Sequence, residues 1–210
     1  MRFPNARILV FAKAPVPGQC KTRLIPALGA EGAARLAETL LCQTLERVTS
    51  AGLAPVELCC APETTHPLFL RLSERLQLRL QAQRGPDLGA RLQAAAESAL
   101  GRAEQVLLIG TDCPDLDAGY LQQALQALTK QRAVLGPAED GGYVLLGLRR
   151  EALSALPLLF TKMPWGSAQV AQITRERMRD AGLAWTELAS LADIDQPQDL
   201  VLFLREAQVG

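Results

Sequence analysis

Residues 105–130 read Gln105-Val106-Leu107-Leu108-Ile109-Gly110-Thr111-Asp112-Cys113-Pro114-Asp115-Leu116-Asp117 and then run from Ala118 to Lys130, with Leu121, Leu125 and Leu128 on one side. A short apolar run, an acidic loop and a segment with helical spacing follow one another here, which is a strand-loop-helix unit. Val106 to Ile109 is apolar without alternation, as expected of a strand covered on both faces by helices. Asp117 stands where it can cap the helix over 118–130. The same alternation extends outward in both directions. Ile8 to Ala12, Val56 to Cys60, Val134 to Leu135 and Tyr143 to Leu148 are predicted strands, and Gln77 to Ala82 is a weaker, alternating one. Ala33, Ala37, Leu40, Leu41, Leu45 and Val48 make one stripe on a helix predicted over Glu31 to Ala51, which Gly52 stops, and Leu88 to Leu100 repeats the pattern. Strand and helix in turn through Leu148 predict an α/β domain with a mainly parallel sheet, whose ligands bind beyond the carboxyl ends of the strands.

After Leu148 the rhythm changes. A short helix near Glu151, a proline-broken apolar stretch to Phe160, a helix over Ser167 to Ala181, a strand over Trp185 to Leu188 and a helix from Pro197 are expected. This part lacks the length for a core of its own, so it reads as an extension covering one end of the sheet, and residues 1–210 as a single domain. The 210 residues are 49% hydrophobic and 21% charged, a balance that excludes disordered and low-complexity classes. Lys plus Arg and Asp plus Glu number 22 each, so no global positive field exists to hold nucleic acid. Cys20, Cys42, Cys59, Cys60 and Cys113 form no CxxC pair, and His66 is the one histidine, so a zinc site and a serine triad are not expected. Cys59 and Cys60 read as small core residues, and His66 as a loop residue near a helix start. An odd set of cysteines fits a reducing compartment, and with no signal-peptide core or run of about 20 apolar residues the expected location is the cytoplasm.

Three loops carry the chemistry. The first, Ala14-Pro15-Val16-Pro17-Gly18-Gln19-Cys20-Lys21-Thr22-Arg23-Leu24, follows the first strand. A Walker A loop ending in Lys21-Thr22 would need glycine where Pro15 and Cys20 stand, and a dinucleotide fingerprint needs more than Gly18. Lys13, Lys21 and Arg23 remain as three cations around a rigid loop, a composition suited to a polyphosphate held by side chains, or to solvated charge at a loop edge. The second loop offers Asp112 as a Mg²⁺ ligand or a turn-former before Pro114, with Asp115 and Asp117 available as helix caps. Near the C-terminus, Asp193 and Asp195 share one side of an extended segment, where either could complete a metal site with Asp112 or serve the helix start at Pro197. Asp199 falls in that helix's first turn.

The third loop, Gly136 to Tyr143 with Asp140-Gly141-Gly142 inside it, joins two strands and lets backbone approach a ligand, or is a hairpin turn. Asp140, Gly141, Gly142 and Tyr143 could line a sugar or acceptor pocket. Trp165-Gly166-Ser167 could cap the following helix, or Trp165 could stack on a base or sugar.

Taken together, Phe11-Ala12-Lys13-Ala14-Pro15-Val16-Pro17-Gly18, Lys21-Thr22-Arg23-Leu24, Asp87-Leu88-Gly89-Ala90-Arg91, Gly110-Thr111-Asp112-Cys113-Pro114, Gly136-Pro137, Asp140-Gly141-Gly142-Tyr143 and Asp193-Ile194-Asp195 resemble one family. It is the bacterial family of small glycosyltransferase-A-like transferases of largely unknown function that includes proteins assigned to arsenosugar biosynthesis. More distantly the chain is similar to phospholactate guanylyltransferase and to the guanylyl and cytidylyl transferases of molybdenum cofactors. The resemblance implies a three-layer α/β/α nucleotide-diphospho-sugar transferase fold. It further implies a nucleotide or nucleotide-sugar donor over Lys13, Gly18, Lys21, Arg23, Asp87 and Arg91, with Lys21, Arg23 and Asp112 in catalysis. Mg²⁺ or Mn²⁺ on Asp112 with Asp193 or Asp195, and a small-molecule acceptor, complete what it implies. The first loop departs from the paired glycines of the molybdenum-cofactor enzymes. Nucleotidyl transfer from an NTP, glycosyl transfer from a nucleotide sugar and a non-catalytic nucleotide-binding module all fit these residues, and the three cations of the first loop favour the first.

Overall fold

The computed structural model describes residues 1–201. Along the chain run β1 (Ala6–Lys13), α1 (Ile25–Ser50), β2 (Val56–Ala61), α2 (Pro67–Leu76), β3 (Arg79–Ala82), α3 (Leu88–Leu100), β4 (Gln105–Ile109), α4 (Ala118–Ala127), β5 (Ala133–Pro137), β6 (Tyr143–Arg149), α5 (Leu156–Phe160), α6 (Val170–Asp180) and β7 (Trp185–Glu187). The strands form one sheet in the order β3-β2-β1-β4-β6-β5-β7, and β6 alone runs antiparallel to its neighbours. The continuous apolar runs are explained by burial on both faces. Ile8, Val10, Leu107 and Ile109 enter one core with α1, α2 and α4, while Leu9, Val106 and Leu108 enter another with α3, α5 and α6. Each such side chain contributes roughly 1.5 to 3 kcal/mol on leaving water. The result is the expected three-layer α/β/α arrangement.

The C-terminal third departs from expectation in one respect that matters for the site. Ala152, Ala155, Leu156, Leu159, Phe160 and Met178 pack with α3 on a whole face of the sheet, so this part supplies a layer rather than covering an end. Pro157 lies in the first turn of α5, where its missing N–H leaves no helical bond unmade, so the proline starts a helix instead of breaking one. The helix expected from Ser167 begins at Val170, so Trp165-Gly166-Ser167 is loop and not cap. The expected helix at Pro197 opens as a short 3-10 turn over Pro197–Asp199, and anything past residue 201 lies outside the described residues.

Elsewhere the differences are local. Gln77 has φ 54° and ends α2, so only Arg79–Ala82 of the expected 77–82 strand pairs with β2. The α2 helix itself was legible only at its start, where Pro67 follows His66 and the His66 Nδ1 accepts a bond from the Leu68 N–H at 3.3 Å. Helix α1 begins six residues before Glu31, continuous across a kink at Gly29. All five cysteines are free thiols, four of them buried, and burial pushes the Cys60 and Cys113 thiols up to about 12. Among the described residues no helix is long and apolar enough to cross a membrane.

Candidate active site

Strands β1 and β4 are neighbours from which the chain winds away in opposite directions, and in such sheets the crevice beyond their carboxyl ends is where ligands bind. The first loop enters this crevice through Lys21, which has φ 46° and starts a 3-10 turn over Thr22–Leu24. A lysine held in that conformation costs of order 1 to 3 kcal/mol and is kept there by its surroundings. Leu24 is fully buried with Ala33, Leu36, Leu40 and Ile194. The Lys21 side chain is 6% exposed; its ammonium lies 2.7 Å from Asp112 Oδ1 and donates to the Ile194 carbonyl. Arg23 pairs with Asp195 and reaches the Gly166 carbonyl at 3.5 Å.

Ile194 explains how the distant acids arrive. Its side chain is sealed under α1, and its N–H donates to the Asp112 carbonyl at 2.8 Å. In an extended segment the flanking Asp193 and Asp195 then point the other way, into the crevice. Asp199 accepts bonds from the Asp195 and Gln196 N–H groups at 3.0 and 2.6 Å, which closes the turn behind them.

Two cavities of opposite character meet at Phe11, Asp112 and Asp195. One, of about 340 Å³, is lined by Lys13, Lys21, Arg23 and Thr111. The other, of about 370 Å³, is lined by Asp140, Asp193, Tyr143, Trp165, Leu88 and Leu92 besides the shared residues. Tyr143 and Trp165 meet edge to face at 6.1 Å, and desolvation raises the Tyr143 phenol above its usual range. The Asp140-Gly141-Gly142 turn is a hairpin turn whose Asp140 and Gly142 line the cavity while Gly141 does not. Asp140 Oδ1 accepts from the Gly142 N–H at 2.7 Å, while Gly141 at φ 89° lies so close to the Ala168 carbonyl that no side chain fits.

Gly89 has a similar role that sequence reasoning noted only within a motif. A Cβ there would run into the Phe160 carbonyl oxygen and come within 3.0 Å of Trp165 Nε1, so the glycine admits the segment that carries Trp165. Gly89→Ala is expected to cost about 2 kcal/mol as overpacking, visible as a melting temperature lower by about 4 to 8 °C in calorimetry.

Asp193 is the perturbed acid of the site. Desolvation first, and then the charges of Asp140, Asp112 and Asp195, push it up to about 6 from 3.8, with Lys21 opposing. A folded-state value above the unfolded one means that the native chain binds the extra proton. Its stabilising effect is therefore present at low pH and lost as pH rises through about 6. Asp193→Asn should stabilise the chain by about 1 kcal/mol at pH 7.5, after allowance for partial solvent screening, or about 2 to 4 °C in a thermal melt. That gain should shrink toward zero as pH falls to 4.

Among the described residues no group of three or more His, Cys, Asp or Glu is placed to hold a metal alone. Mg²⁺ does not require one, because it takes one or two carboxylates with waters and phosphate oxygens. Asp112, paired with Lys21 but with its side chain 47% exposed, and Asp193, crowded by like charge and held by no cation among the described residues, are oxygen donors whose mutual repulsion such an ion would relieve, while Asp195 faces Arg23.

Several expected site residues have other tasks. Asp87 caps α3 by accepting from the Ala90 N–H at 2.8 Å, and Arg91 Nε donates to the Gly85 carbonyl at 3.0 Å, so these two brace the loop and line neither cavity. Gly18, likewise off both linings, turns the first loop. Asp117 caps α4 through the Tyr120 N–H at 2.7 Å, and Asp115 is exposed. Phe11, Leu88 and Thr111, which sequence reasoning quoted only within motifs without a role, and Leu92 line the cavities as well. The available signal for them was position alone, at the strand ends and the start of α3.

The sequence profile of DUF2064, described as an uncharacterized protein family conserved in bacteria, matches residues 44–167. The chain is 34% identical to a candidate nucleotide-diphospho-sugar transferase from Desulfovibrio desulfuricans G20, with 97% of this chain and 87% of that one covered and a TM-score of 0.86. It shares its fold with 4-diphosphocytidyl-2C-methyl-D-erythritol synthase from Anaerococcus prevotii DSM 20548, at 10% identity, 98% and 99% coverage and a TM-score of 0.66. Glucosyl-3-phosphoglycerate synthase from Mycobacterium tuberculosis, solved with Mn²⁺, UDP and glucosyl-3-phosphoglycerate, gives 12% identity, 94% and 75% coverage and a TM-score of 0.62. No curated protein sequence matches the chain.

Proposed function

The chain belongs to the DUF2064 family of bacterial proteins and is a transferase, and we propose that it is a Mg²⁺- or Mn²⁺-dependent nucleotidyltransferase that joins an NTP-derived nucleoside monophosphate to a small acceptor. The observation that carries this reading is the cavity in which Lys13, Lys21 and Arg23 converge beside Asp112. An acceptor oxygen would attack the α-phosphorus, the bond to the β-phosphate bridge would break, and pyrophosphate would leave with the bonding electrons. The acceptor proton would pass to a carboxylate of the acidic cavity. Lys21 and Arg23 would neutralise the charge that grows on the leaving pyrophosphate, exchanging Asp112 and Asp195 for phosphate oxygens. Asp112 and Asp193 would hold the divalent ion, which supplies charge neutralisation on the phosphates when bound. That the mycobacterial fold neighbour was solved with Mn²⁺ and UDP supports the use of a divalent ion and a nucleotide.

Glycosyl transfer from a nucleotide sugar is the second reading, favoured by the name of the Desulfovibrio protein. Incubation with Mg²⁺, each NTP and a pool of hydroxylated and phosphorylated acceptors should release pyrophosphate. If only nucleoside diphosphate appears, and only from nucleotide sugars, the glycosyl reading replaces the nucleotidyl one. A nucleotide-dependent rise in melting temperature with no product from any donor would make the chain a binding module.

A further inference from the structure

We propose that the acidic, aromatic cavity of this site takes a neutral polyhydroxylated ring, a sugar or cyclic polyol, and rejects its phosphorylated counterpart; this rests on the nucleotide-donor reading above. Four carboxylates, Asp112, Asp140, Asp193 and Asp195, line the cavity, and no Lys, Arg or His does so among the described residues. The available cations belong to the adjoining cavity, where Lys21 and Arg23 are held by Asp112 and Asp195 and would pass to the donor's phosphates. An acceptor phosphate would therefore enter against like charge with no counter-ion to meet it. A cationic ligand gains little either. A divalent ion on Asp112 and Asp193 would offset two of the four charges, and Lys21 and Arg23, once on the donor's phosphates, would still stand beside Asp112 and Asp195 and repel a cation.

A neutral ring fits the walls on both counts. Phe11, Trp165 and Tyr143 line the cavity with aromatic surface on which the C–H face of a ring can pack, and the carboxylates can accept its hydroxyl protons. The desolvated Tyr143 hydroxyl makes no hydrogen bond to any described residue, and the residue borders this cavity and a smaller recess beside Asp112 and Asp193. Partly buried at the cavity wall, that hydroxyl can both donate to and accept from a ligand hydroxyl.

The test titrates the protein first with Mg²⁺ and each α,β-methylene nucleoside triphosphate by calorimetry. The nucleotide-loaded protein is then titrated with glucose, mannose and myo-inositol, with glucose 6-phosphate and mannose 1-phosphate, and with glucosamine. At least one neutral ring should bind, its phosphate about tenfold or more weaker, with Trp165→Ala lowering the neutral ring's affinity about tenfold. A UDP-glucose or GDP-mannose affinity above that of the parent diphosphate, with the excess lost in Trp165→Ala, would support the same ring class as part of the donor. A phosphorylated ring or glucosamine binding more tightly than its neutral parent, or no neutral ring binding in any form, overturns the inference while leaving the donor reading intact. Absence of any nucleotide binding in the first titration overturns the donor reading and the inference with it.

Discussion

Lys21→Met is expected to lower kcat/KM for the nucleotide-dependent reaction about 10²- to 10³-fold, the scale on which a preorganised charge at a developing anion acts. Nucleotide affinity alone should fall by roughly 1.5 to 3 kcal/mol, as for a lost charge-assisted hydrogen bond. The reason lies in its placement. With 6% of its side chain exposed, the Lys21 ammonium is already desolvated, strained into position by φ 46° and aimed between Asp112 and the Ile194 carbonyl. A flexible surface lysine would have to lose its rotamer freedom on binding, and this one has lost it already. The same substitution has an effect of opposite sign on the metal. Removing the cation leaves Asp112 unpaired beside Asp193, so Mn²⁺ without nucleotide should bind Lys21→Met several-fold more tightly than the parent. Calorimetry with Mn²⁺ alone and then with Mn²⁺ plus nucleotide checks both signs. Unchanged nucleotide affinity would remove Lys21 from the phosphate site.

Asp112→Asn is expected to abolish the metal dependence of nucleotide binding and to lower kcat/KM about 10²- to 10³-fold, consistent with several kcal/mol of charge stabilisation. The amide keeps the shape of the side chain and leaves Lys21 on the Ile194 carbonyl, so the fold should survive with little change in melting temperature. What is lost is the negative charge beyond the end of β4, which pairs Lys21 and, on the proposed reading, would donate to a divalent ion. Equal Mg²⁺-dependent nucleotide affinity in variant and parent would place the ion elsewhere. The partner substitution Asp193→Asn removes a carboxylate that is protonated below about pH 6, so the two variants should separate in a pH series.

Much of the layer structure was legible along the chain because it depends on local periodicity. The runs at Ile8, Val56 and Val106 had to be covered on both faces, and Asp117 stood where it could cap the helix that followed it. Loop chemistry was legible to the same degree, since Asp193 and Asp195 share a side in any extended segment. The antiparallel placement of β6 between β4 and β5 was less accessible, because a strand buried on both faces has the same apolar run in either direction.

By itself the sequence determined most of the elements, the α/β class and the residue types gathered at the strand ends: three cations at and after the end of β1, a carboxylate after β4 and a pair of acids near the C-terminus. Tertiary structure alone decided how those charges meet. Burial of Ile194 under α1 turns Asp193 toward Asp112, 81 residues away, and Asp195 toward Arg23, 172 residues away, a partition that no local spacing encodes. The same packing assigned Asp87 and Arg91 to bracing and brought Trp165 against Tyr143, because side-chain direction in a loop is set by what its neighbours bury rather than by its own sequence.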